Sequence, residues 1–136
     1  MSLKLDTNAR CAVIGYGSWA TAIVKILCEN EQRVGWLIGN PAVAEGVLAD
    51  ERNPKYLSDA ALNLSKLDIS DDINKVVREA DIIVMATPSA YLKKTLEPLT
   101  ESLDDKFIVS AIKGIIPDEY VTVAEYFNQH YSIPFG

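Results

Sequence analysis

The stretch Gly15-Tyr16-Gly17-Ser18-Trp19-Ala20 decides how the rest of the chain reads. The apolar run Cys11-Ala12-Val13-Ile14 precedes it, and the helix-like run Thr21-Ala22-Ile23-Val24-Lys25-Ile26-Leu27-Cys28 follows it. Strand, glycine turn and helix in that order are the setting in which a G-x-G-x-x-G/A pattern signals dinucleotide binding; without that setting it is only a turn. Gly15 lets the chain leave the strand in a tight turn. Gly17 has no Cβ, so a pyrophosphate can approach the backbone. Ala20 is small enough for the helix to pack close on the strand. Ser18 is expected to cap the helix, with its hydroxyl and the first-turn N–H groups facing an anion.

Working outward, the chain alternates strand and helix. The second strand is expected over Val34-Gly35-Trp36-Leu37-Ile38, ending at the turn Gly39-Asn40-Pro41, with a short helix over Ala42–Asp50. A polar connection follows through Asn53-Pro54-Lys55. A weak strand, Leu67–Ser70, leads to a helix capped by Ser70 or Asp71, with Ile73, Val76, Val77 and Ala80 on one face. The run Asp81–Ala86 is nearly all apolar, as suits a central parallel strand. The next helix has a leucine stripe, Leu92, Leu96, Leu99 and Leu103, and Pro98 should break it near Leu96. Lys106–Ile112 reads as another buried strand. Pro117-Asp118 reads as the opening of a last helix with Val121, Ala124 and Phe127 inward. The alternation predicts an α/β fold: a Rossmann-type doubly wound parallel sheet with helices on both faces, the whole of residues 1–136 forming one domain. In such a sheet the ligand lies outside the carboxyl ends of the strands. Gly15–Trp19, Thr87–Ser89 and Lys113-Gly114 should therefore converge.

Bulk properties narrow the function. Of 136 residues, 49% are hydrophobic, enough for a real core, and the net charge is −6. An acidic chain argues against nonspecific nucleic-acid binding and against an anionic membrane surface. No apolar run reaches the ~18 residues of a membrane helix, and the N-terminus lacks a signal-peptide core, so a cytoplasmic location is expected. Cys11 and Cys28 read as small core residues rather than a disulfide, and no Cys/His cluster suggests a metal.

The remaining site candidates lie at strand ends. No carboxylate follows the second strand to hold a ribose, and no arginine follows to meet a 2′-phosphate, so NAD and NADP both stay open. Asn40 is either a ribose contact or a plain helix cap. Thr87-Pro88-Ser89 is placed to lay its backbone, Pro88 included, against a cofactor ribose while Ser89 caps the following helix. Tyr91 reads as a cofactor neighbour or an ordinary half-buried aromatic. Trp19 either covers the nicotinamide side of the site or seals the core. Lys113 follows a strand and precedes a glycine; its ammonium either holds a substrate phosphate or a cofactor oxygen in the crevice or is a solvated lysine at a strand end. His130, the only histidine, reads as a surface residue.

Gly15–Ala22, Asn53-Pro54-Lys55-Tyr56-Leu57, Thr87-Pro88-Ser89 and Ser110-Ala111-Ile112-Lys113-Gly114-Ile115 come in an order that resembles NAD(P)-dependent glycerol-3-phosphate dehydrogenase. The resemblance spans about Ala9 to Tyr131. It implies reduction of dihydroxyacetone phosphate to sn-glycerol 3-phosphate, a phospholipid precursor, by an enzyme that is a homodimer at full length. It further implies that Ser18, Trp19 and Tyr91 contact the cofactor, and that Lys113 lies near both nicotinamide and substrate. Ala20 stands where the family usually has a third glycine. Gly39 stands where many bacterial members have an arginine, so their NADP preference does not carry over. The family places its catalytic lysine and most phosphate contacts in a C-terminal helical domain. These 136 residues are therefore expected to be the N-terminal part, without a catalytic residue, inactive by themselves. Two rival readings are another two-domain dehydrogenase and a module that senses a dinucleotide without catalysis.

Overall fold

The computed structural model describes residues 10–30, 33–50, 62, 64–103, 105–112, 115–116, 121–122 and 125–126. Five parallel strands form one sheet: β1 (Cys11–Ile14), β2 (Val34–Leu37), β3 (Leu67–Ser70), β4 (Ile82–Met85) and β5 (Phe107–Ser110), in the order β3-β2-β1-β4-β5. The helices are α1 (Ser18–Asn30), α2 (Pro41–Asp50), α3 (Ile73–Glu79) and α4 (Ser89–Leu96). β1 is central, with Val13 in register with Trp36 of β2 on one side and Val84 of β4 on the other.

Side chains alternate across the strands, so each strand feeds two cores. On one face Ala12, Ile14, Leu37, Ile83 and Met85 pack against Ile73, Val76 and Val77 of α3 and Leu92 and Leu96 of α4. On the other Val13, Val34, Trp36 and Val84 pack against Ala20, Val24 and Cys28 of α1 and Val43 and Val47 of α2. Helices thus cover both faces, as the apolar patterning of the strands requires. Cys11 and Cys28 are buried thiols, not joined in a disulfide, and burial pushes the Cys28 thiol up, keeping it protonated. No helix among the described residues is long and apolar enough to cross a membrane.

The ladder runs one residue past several strands. Ile38 N–H donates to the Ser70 carbonyl, Ala86 N–H to Ile14, and Ala111 N–H to Met85, each at 2.9 Å. α4 stops at Leu96, two residues before Pro98, where the missing N–H and ring clash end a helix.

Four expectations need correcting. β5 is not buried: it is an edge strand, and Phe107 and Val109 are 43% and 39% exposed. Only Ile108 and the following Ile112 pack on the core beneath α3 and α4. α1 packs chiefly on β1 and β2, away from this edge. Val121 is not in a helix. β6 (Ile115–Ile116) and β7 (Val121–Thr122) pair antiparallel, with Ile116 opposite Val121, as β-branched residues favour. Tyr126 supplies the buried aromatic instead, while Ala124 and Phe127 lie outside the described residues. α3 is capped by Asp72, whose carboxylate accepts from Asn74 N–H, while Ser70 Oγ accepts from Asp72 N–H and braces the cap. Ser18 and Ser89 are the first helical residues, not the caps. The Gly17 carbonyl accepts the first intrahelical bond, from Thr21 N–H at 2.9 Å, and Pro88 holds the cap position of α4 without a side-chain bond.

Candidate functional site: a cofactor cradle at the carboxyl rim

Gly15 shows why the turn needs glycine. Its φ is +125°, a region L side chains rarely adopt. A Cβ there would lie 2.8 Å from the Ala86 carbonyl carbon and oxygen and from Thr87 N. The glycine turn and the end of β4 therefore touch, and two of the three stretches expected to converge do so. Lys113-Gly114, the third, lies outside the described residues, as do Asn53–Leu57 and His130.

Gly17 is the opposite case. A Cβ added there meets nothing within 4 Å. The space in front of this residue is open, as a pyrophosphate approaching the backbone requires. Thr21, fully buried, donates from Oγ1 as well as from N–H to the Gly17 carbonyl, at 2.8 and 2.9 Å. Since Thr21 is the first amide bonded back into α1, the amides of Ser18, Trp19 and Ala20 have no intrahelical acceptor. They lie at the positive end of the helix dipole, where anions bind. Ala20 is fully buried, which allows the close packing of α1 that its size predicted.

The other candidates sort by burial. Trp19 and Tyr91, in the first turns of α1 and α4, are 63% and 62% exposed, so neither seals the core and both are free to meet a ligand. Pro88 is exposed beside buried Thr87. Asn40 is a helix cap: its Oδ1 accepts Ala42 N–H at 3.0 Å and its carbonyl accepts Ala44 N–H at 3.1 Å. Its side-chain oxygen is thereby engaged in the cap, and the amide NH2 is left to serve a ribose. A Cβ at Gly39 would meet nothing within 4 Å.

None of residues 15–20, 38–41 and 86–91 carries a charge. An anion at these three stretches meets main-chain dipoles and hydroxyls; Asp71 and Asp72 follow the end of β3 at the same rim, and Asp72 is engaged in capping α3. Sequence reasoning missed one residue that bears on the turn. Trp36 is fully buried on β2, and its Nε1 donates to the Gly15 carbonyl at 2.6 Å. The available signal was an aromatic with a polar tip inside an otherwise apolar strand, which needs a buried acceptor.

The parallel sheet, the first glycine at positive φ and the open second glycine together define a Rossmann-type domain, the class of fold that binds dinucleotides at the carboxyl ends of its strands. Residues 10–134 match the family model of the NAD-dependent glycerol-3-phosphate dehydrogenase N-terminus, and the chain belongs to that family. Glycerol-3-phosphate dehydrogenase, NAD(P)+, of Pseudomonas aeruginosa is 34% identical over 114 residues, covering 84% of this chain and 33% of the relative. The chain thus spans about a third of the length of the curated relatives it matches. Among solved structures, glycerol-3-phosphate dehydrogenase from Coxiella burnetii superposes with a TM-score of 0.81 at 19% identity, over 95% of this chain and 39% of that one. The enzyme from Plasmodium falciparum gives 0.82 at 22% identity, over 93% and 39%. At those identities the two structures bear on the fold, and the fold agrees.

Proposed function

We propose that the chain is the cofactor-binding part of an oxidoreductase that passes a hydride between NAD(P)H and dihydroxyacetone phosphate, giving sn-glycerol 3-phosphate for phospholipid synthesis. The single observation that carries the binding step is the open approach to Gly17 beside three helix-start amides that have no intrahelical acceptor, in a turn without charged side chains. Family membership supports the reaction. The nicotinamide, when bound, donates or accepts the hydride.

The chain's own residues hold and orient. The amides of Ser18, Trp19 and Ala20 take the diphosphate, and the exposed Trp19 and Tyr91 rings flank the cofactor. Pro88 and the Asn40 amide NH2 line its ribose side. Lys113, three residues after β5 in the sequence, is assigned to nicotinamide and substrate phosphate by the family resemblance. The family resemblance implies that the proton donor and most phosphate contacts belong to the part of the relatives' length outside this span. Hydride transfer needs an oriented substrate and a positioned acid, so these 136 residues are expected to bind cofactor without turnover. A homodimer at full length, a cytoplasmic location and no nucleic-acid partner complete the proposal.

Titration of NADH and NADPH against the 136-residue chain, read by dihydronicotinamide fluorescence and Trp19 quenching, tests it. Saturable binding of at least one, competed by ADP-ribose, is expected. Absence of saturable binding at millimolar dinucleotide overturns the proposal.

A further inference from the structure

We propose that Trp36 is a positioning residue for the cofactor, fixing through one hydrogen bond the peptide plane from which the diphosphate-binding turn starts. The inference rests on the dinucleotide reading above. Trp36 stands third in β2, fully buried, in register with Val13 of β1 and Ile69 of β3. An indole N–H is a donor only, and once buried it needs an acceptor. The Gly15 carbonyl, also buried, is that acceptor at 2.6 Å. Neither group has water to fall back on, so each is costly without the other.

Gly15 is held from a second side. Its α-carbon is pressed against Ala86 and Thr87 at the end of β4, where even a methyl group would clash. One residue is therefore gripped by β2 through its carbonyl and by β4 through its α-carbon. Because a trans peptide is planar, fixing the Gly15 carbonyl inward turns the Tyr16 N–H the opposite way and sets the chain's heading toward Gly17. The far end of the turn is anchored too, by the two Thr21 bonds onto the Gly17 carbonyl. Two pinned carbonyls, at 15 and 17, leave the short turn between them little freedom. The amides that follow are thus aimed before any ligand arrives. Without the indole bond, the Gly15 peptide regains the range glycine allows, and a ligand would have to order it on binding.

The test uses two versions of the 136-residue chain: Trp36→Phe, and replacement of Trp36 by 3-benzothienylalanine, which keeps the bicyclic shape and exchanges the N–H for sulfur. In both, Trp19 is the remaining tryptophan and reports binding from the turn itself. Dissociation constants for NADH and for ADP-ribose should rise by the same factor, about three- to tenfold, since the lost bond acts on the shared diphosphate. The amide resonances of Gly15, Tyr16 and Gly17 should shift or broaden without ligand, while those of β3 and α3 stay in place. Affinities unchanged within about twofold, with only a lower unfolding midpoint, would make Trp36 a core residue and overturn the inference alone. Failure of the unaltered chain to bind either NADH or NADPH overturns the dinucleotide reading, and this inference with it.

Discussion

The two rims of the sheet solve the same problem in opposite ways. Where strands end, main-chain groups lose their ladder partners and must find others. At the amino rim the chain closes the gap with charge. Arg10 and Arg33, just ahead of β1 and β2, both pair with Asp68 of β3, Arg33 from Nε at 2.7 Å. Arg10 also reaches Glu79 at 3.7 Å, and its N–H donates to the Asp81 carboxylate at 3.0 Å. Lys106 Nζ covers the end of α3 by donating to the Ala80 carbonyl at 2.6 Å. At the carboxyl rim no side chain of residues 15–20, 38–41 or 86–91 is charged, and the first amides of α1 are left without intrahelical acceptors. One rim is bolted shut and the other is kept available, and only the available one can take an anion on main-chain donors.

The largest effect that tests this contrast comes from the glycine turn. Gly15→Ala forces a side chain into a φ of +125° and against β4 backbone at 2.8 Å. A loss of about 3 kcal/mol in urea unfolding is expected, along with loss of NADH binding. Gly17→Ala should separate the two quantities. Its Cβ enters open space, so the stability loss should stay under about 1 kcal/mol, the scale of a changed helix cap. NADH affinity should nevertheless fall about tenfold, because the methyl group occupies the diphosphate's approach; such a factor corresponds to ~1.4 kcal/mol. If Gly17→Ala costs as much stability as Gly15→Ala and leaves affinity alone, the carboxyl rim is as closed as the other.

Local signals in the sequence were enough for much of this. The β1–turn–α1 unit, the buried face of α3 at Ile73, Val76, Val77 and Ala80, the apolar β4 and the break near Pro98 are each written within a dozen residues. What was misread depends on distant partners. Lys106–Ile112 is apolar enough for a central strand, but only its place at the sheet edge exposes Phe107 and Val109. Val121 has the spacing of a helix face, yet it lies in a strand opposite Ile116 in an antiparallel pair. Helix starts moved by one or two residues, to Gly17, Asp72 and Pro88, because a serine beside a turn can stand just inside the helix as well as at its cap. Trp36 escaped notice because its acceptor lies 21 residues away in sequence. Within the site, Asn40 was open between two roles, and the structure commits its Oδ1 to the cap.

The smallest expected effect belongs to the amino rim, and its pH dependence identifies its origin. Asp68→Asn keeps the side chain's size and removes the charge that two guanidinium groups share. The hydrogen bond from Arg33, aided by the Arg10 and Arg33 charges, outweighs partial desolvation and holds the Asp68 carboxyl below its ordinary value of about 3.9. A group with a lowered folded pKa adds stability that is fully present above the unfolded value and is lost as pH falls through the folded one. The unaltered chain should therefore exceed Asp68→Asn by ~1 kcal/mol or less near neutral pH, the range for a partly exposed pair. That gap should hold down to about pH 5 and close below about pH 4. Added salt should narrow it, and NADH affinity should not move, because the charges sit at the rim away from the turn. A gap that stays constant to the acid limit would mean Asp68 acts by shape and neutral hydrogen bonding. The amino rim would then be held by packing, as the core is, and the contrast between the rims would lie in the glycines alone.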